Sequence, residues 1–138
     1  MPLRKLPLIK IWADEPTHFG KIKFFKGKFI VTQKGKFFAK LFPEKEYEGL
    51  KFFHNEILEE MGVKKAESPA VKKEVAGGGK IEVELIKDYV EVRLYGTSSI
   101  YGDYIPDDIN IGEIEKLIRV MFELTDLPVL VIPDFKYK

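Results

Sequence analysis

The sequence predicts an α+β domain: a largely antiparallel or mixed β-sheet with two α-helices packed on it and an extra β-hairpin near the N-terminus. Three observations carry this. IEVEL (81–85) and YVEVRLY (89–95) alternate apolar and polar residues with period two, as strands with one wet face do. Residues 43–62 and 110–124 instead carry apolar residues at helical spacing. The order is strands, helix, strands, helix, strand, which suits helices laid on one sheet better than a repeating parallel unit.

In chain order, LIKIWA (8–13) reads as a short strand. After Pro16, the runs KIKFF, KFIVTQ and KFFAKLF read as a β-meander whose turns fall at Gly27 and Gly35. Pro43 with Glu44, Glu46 and Glu48 marks a helix start, because a fixed φ and negative charge both suit the first turn. Gly62 marks its end. Between them Tyr47, Leu50, His54, Ile57, Leu58 and Met61 form one stripe, with His54 near its middle, and Gly49 weakens the first turns. Residues 63–75 read as a connection ending in a short strand at 71–75, which leads into the glycines 77–79. IEVEL and YVEVRLY then pair through a turn at Lys87-Asp88. Asn110 and Glu113 have the capping-box spacing, so a second helix follows, with Ile111, Ile114, Leu117, Ile118, Met121 and Leu124 on its apolar face. PVLVI (128–132) closes the sheet as a buried strand.

The 138 residues are the length of one domain, 1–138, and 45% apolar composition is ample for a core. The absence of cysteine excludes disulfides, thiolate nucleophiles and cysteine-based metal sites, and two histidines are too few for a multi-histidine centre. No segment has the length and apolarity of a signal peptide or membrane span, which reads as a cytoplasmic protein without membrane partners. Twenty Lys against three Arg, and fifteen Glu against seven Asp, point to a hyperthermophilic source.

Three segments could carry chemistry. GTSSIYG (96–102) joins a strand to a capped helix; its small residues would let amides from Gly96, Thr97, Ser98, Ser99 and Ile100 converge on an anion, or would simply make a turn. GGGK (77–80) invites a close backbone approach or an unusual φ, or is simply a flexible hairpin entry. His54 can be a packed core residue or, near the end of the sheet, a group that accepts a proton or attacks phosphorus. His18 lies in a loop and is assigned no role.

HNEIL, then GGGKI, then a hairpin, then GxSxxYG: in this order and spacing the chain resembles the phosphohistidine phosphatase (Janus/Ocnus) family over roughly three-quarters of its length. The resemblance implies a metal-independent phosphatase without a cofactor, acting on a phosphorylated protein or a small phosphoramidate. It implies His54 as base or nucleophile, and Lys80 with the 96–100 loop as phosphate ligands. The family's further lysine, in the strand before the helix, falls at Phe38, leaving Lys36 or Lys40 as the additional cation. An inactive relative that binds an acidic or phosphorylated partner would carry the same motifs.

A reading from another class rests on residues 20–40, which hold seven Lys and no acid, interleaved with Phe24, Phe25, Phe29, Phe37 and Phe38. Cations for phosphates and rings for bases are what a single-stranded nucleic-acid surface needs. The alternative is an ordinary strand pair, with Phe building the core and Lys keeping the outer face wet.

Overall fold

A computed structural model describes residues 3–14, 19, 23–96, 98–102, 109–124 and 126–134. Strands β1 (Ile9–Ala13), β2 (Phe24–Thr32), β3 (Phe37–Pro43), β4 (Val75–Ile86), β5 (Tyr89–Tyr95) and β6 (Val129–Asp134) form one mixed sheet in the order β1-β3-β2-β4-β5-β6. The central pairings, β3 with β2, β2 with β4 and β4 with β5, are antiparallel, while the flanking β1 and β6 run parallel to β3 and β5. Helices α1 (Glu44–Glu48), α2 (His54–Glu60), α3 (Pro69–Glu74) and α4 (Ile111–Met121) complete the described elements. The α+β expectation holds.

The sheet is covered on both faces, so its strands sort their side chains by parity. Phe25, Phe29 and Val31 of β2 meet Ile81 and Val83 of β4 and Val92 and Leu94 of β5, and Ile114 and Ile118 of α4 close this side. On the opposite face Ile30 and Phe38 pack against Ile57, Leu58 and Met61, joined by Val75 and by Leu3 and Leu6. Each fully buried side chain of this size contributes about 1.5–3 kcal/mol of transfer free energy.

Four sequence expectations are corrected. No turn forms at Gly27: the alternation of Phe25, Phe29 and Val31 runs straight through it, so KIKFF and KFIVTQ do not make the extra hairpin. A methyl at Gly27 would lie 1.8 Å from the Lys40 carbonyl oxygen, which is why glycine stands there. The turn at Gly35 does form, with φ +82°. The single helix expected over 43–62 is two, α1 and α2, because the chain leaves helical geometry between Gly49 and Phe53. Residues 71–74 belong to helix α3 rather than to a strand; Ser68 caps it by accepting from the Val71 amide (3.4 Å), and Pro69 opens its first turn. The glycines 77–79 lie within β4 instead of preceding it. The Asn110 cap forms as expected, its side-chain oxygen accepting from the Glu113 amide at 3.1 Å.

Candidate functional site

His54 is the first residue of α2, not the middle of a longer helix. Phe53 is extended, and its N–H donates to the Glu56 carboxylate at 2.6 Å, while the Glu56 N–H returns to the Phe53 carbonyl at 3.0 Å. That reciprocal pair fixes where the helix begins and turns the His54 ring down onto the sheet. The ring is buried, with 5% exposed.

Gly78 makes room for it. A methyl on Gly78 would stand 2.9 Å from His54 Cδ2; Gly79 faces the other side of the sheet, where a methyl would meet the Tyr95 carbonyl at 2.3 Å and the Phe29 ring at 2.9 Å. The ring therefore lies over a stretch of strand with no side chain to exclude it. His54 Nε2 is 2.9 Å from the Gly79 carbonyl oxygen. A carbonyl only accepts, so Nε2 carries the proton, and in the neutral ring the lone pair is on Nδ1. Burial pushes the imidazole down from 6.5 to about 4; the Gly79 bond opposes this, and the charges of Lys28 and Lys80 add to it. At neutral pH the ring is an uncharged acceptor.

Lys28 and Lys80 are cross-strand partners on β2 and β4. Side chains paired in this way share a face, here the face that α2 covers. Lys80 is exposed and Lys28 half-buried. Burial, and then the Lys80 charge, hold the Lys28 ammonium below its ordinary value, with Glu56 opposing. An anion here would meet two cations that now repel each other.

The 96–102 loop docks on Gly78. The Gly78 N–H donates to the Gly102 carbonyl at 3.2 Å; the Ser98 N–H donates to that carbonyl at 3.1 Å, and the Gly102 N–H returns to the Ser98 carbonyl at 2.8 Å. Ser98 is buried, and its hydroxyl oxygen accepts from the amides of Ile100 (3.3 Å) and Tyr101 (3.1 Å). Gly96, at φ +84°, lets the chain turn away beside Lys80, and Ser99 is exposed. Thr97 lies outside the described residues, as does His18. The fold thus brings His54, Lys80 and the loop together around Gly78 and Gly79, but the Ser98 and Ile100 amides already have partners within the loop.

Lys36 and Lys40 sit elsewhere. Lys36 Nζ donates to the carbonyls of Leu3 (3.1 Å) and Leu6 (2.6 Å), tying the N-terminal turn to the sheet. Lys40 pairs in register with Lys28, yet its ammonium is buried between Asp14 (2.9 Å) and Glu60 and beside the rings of Phe42 and Phe52. The additional cation near His54 is Lys28, which the sequence reading missed. Its signal was the unbroken alternation through Gly27, which places Lys26, Lys28 and Ile30 on one face.

An open cleft of about 530 Å³ shares Lys28 with the site and is lined by Lys26, Lys28, Tyr47, Leu50, Lys51 and Phe53 among others, with His54 and Lys80 outside its lining. The Phe-rich surface of the nucleic-acid reading is not presented to solvent. Phe25, Phe29, Phe37 and Phe38 are buried, and the half-buried Phe24 sits against Lys26 and Arg93. Among the described residues no group of three or more potential metal ligands gathers, and no helix is long and apolar enough to cross a membrane. No family model matches the sequence, and no curated protein matches it.

Proposed function

We propose that the protein is a phosphatase of the phosphohistidine type, hydrolysing without a metal a phosphoryl group held between Lys28 and Lys80 beside His54. One observation carries the reading: a neutral imidazole, held through Nε2 on the Gly79 carbonyl, lies where the charges of Lys28 and Lys80 both act on it. Nδ1 takes a proton from water as the water oxygen attacks phosphorus. The P–N bond breaks, its electron pair leaves on the departing nitrogen, and that nitrogen takes up the proton that His54 removed. The ring returns to its neutral form. Lys28 and Lys80 balance charge on the transferring group in a partly desolvated setting, where such balance is most effective.

A pKa of about 4, set mainly by burial, makes a weak base, and phosphoryl binding offsets only the smaller part of the shift that comes from the lysines. An anion between the two lysines removes much of the positive potential that depresses the ring, and adds a negative charge that favours its protonation. The group becomes a better base when substrate is present.

The test is release of phosphate from phosphohistidine, with chelator present, by wild type, His54→Ala and Lys28→Met, each confirmed folded. Wild type should turn over. His54→Ala should lose on the order of 10²–10⁴ in rate, and Lys28→Met on the order of 10². Undiminished turnover in His54→Ala would refute the role given to His54, and an inert wild type would refute hydrolysis.

A further inference from the structure

We infer that the cleft lined by Lys28 and Phe53 selects ligands in which the phosphoryl-type anion is bonded directly to a planar, largely apolar group, and that the ring of Phe53 is the surface that reads this group. The inference rests on the phosphoryl reading of the site, for which a phosphorylated histidine ring is one such ligand, and adds the residue that distinguishes a ring from other groups on the anion.

Large apolar side chains that stay in water are few among the described residues: Leu8, Leu50, Phe53, Val120 and Leu130. Two of these five lie in one short segment and line one cleft. Phe53 is 52% exposed and Leu50 45%, and Phe53 directly precedes His54. Helix α2 could begin as well with a small polar residue at that position, and the helix-start preferences favour one. The phenylalanine there belongs to neither apolar core.

Its placement fits a ligand. The Phe53 backbone is held by the Glu56 carboxylate, so the ring is carried on a fixed support. Lys28 Nζ lies 5.7 Å from the ring centroid. An anion paired with Lys28 can therefore carry a bonded group within reach of the Phe53 face. The cleft is cationic, with Lys26, Lys28 and Lys51 against Glu48, although Lys26 also meets Glu44 at 3.7 Å. At about 530 Å³ it is within the range of small-molecule sites. Cations at one end and an aromatic face beside them complement an anion joined to a planar ring, and ring–ring contact contributes beyond the area it buries.

The experiment is equilibrium binding of methylphosphonate, cyclohexylphosphonate and phenylphosphonate, followed by amide NMR, to wild type, Phe53→Ala and Lys28→Met. The three probes share one non-hydrolysable anion. Phe53 is exposed, so its replacement leaves the core intact. Wild type should bind phenylphosphonate about tenfold more tightly than methylphosphonate. Phe53→Ala should remove that preference without changing methylphosphonate affinity, and Lys28→Met should weaken all three. Equal binding of phenyl and methyl probes by wild type, cyclohexyl binding as tight as phenyl, or a preference that survives Phe53→Ala would each overturn the inference while leaving the anion site standing. If wild type binds no phosphonate, the phosphoryl reading itself falls and takes this inference with it.

Discussion

The Nε2 of His54 lies 2.9 Å from the carbonyl oxygen of Gly79, and this contact decides which nitrogen of the ring can act. It also ties a helix terminus to the middle of the sheet, so the tautomer of the ring and the stability of the fold depend on the same pair.

The first consequence is a pH-dependent stability. An unfolded histidine titrates near 6.5 and the folded ring at about 4. Above 6.5 the ring is neutral in both states and contributes no pH dependence. Between 6.5 and 4 the unfolded chain binds the proton first, so stability falls as pH falls, by about 3 kcal/mol over the whole range. Urea unfolding of wild type and His54→Gln across this window should show the difference between the two proteins changing by that amount; a constant difference would contradict the buried neutral ring.

The lysines give a second handle. Lys28 and Lys80 both depress His54, with burial the larger cause. Lys28→Met and Lys80→Met should each raise the His54 pKa without restoring 6.5, as read by NMR titration of the ring. A pKa unmoved by both substitutions would place the ammonium groups away from it.

Glycine is required on β4 for two different reasons. Gly78→Ala would press on the His54 ring at 2.9 Å and on the Phe29 carbonyl at 2.6 Å, while Gly79→Ala would strike the Tyr95 carbonyl at 2.3 Å. Each should cost about 1–3 kcal/mol in denaturant unfolding. Gly78→Ala should also shift the His54 resonances the more strongly of the two.

Lys40 should prove structural. Burial alone would lower its pKa, but hydrogen bonds to Glu60 and Asp14 outweigh that and raise it. The raised value means that its contribution is complete below about pH 10.5 and is lost as pH climbs through the folded value. Lys40→Met should cost only about 1–2 kcal/mol, because both carboxylates can return to water. Phosphonate binding should be unchanged.

Much of this architecture was legible where one face of an element is buried and the other wet. The strands of 81–95 announced themselves through period-two alternation, and α4 through its Asn110 cap and apolar stripe. Glycine was the ambiguous letter. Gly27 marked no turn, because β3 passes too close for a side chain; Gly49 ended a helix where it was read as merely weakening one. Helix α3 was missed although Ser68-Pro69 signalled a capped start, because six residues leave little periodicity to read. At the site, His54, Gly78, Gly79, Lys80 and the 96–102 loop were found by motif and do gather. Lys28 was hidden by the turn wrongly placed beside it, and Phe53 was passed over because exposure cannot be read from one residue type.

The most direct measurement is a ¹⁵N NMR spectrum of the His54 ring at neutral pH, with and without inorganic phosphate. The account requires a protonated Nε2, an unprotonated Nδ1, and a response to phosphate that Lys28→Met diminishes. A ring protonated on Nδ1, or a spectrum indifferent to phosphate, would contradict it.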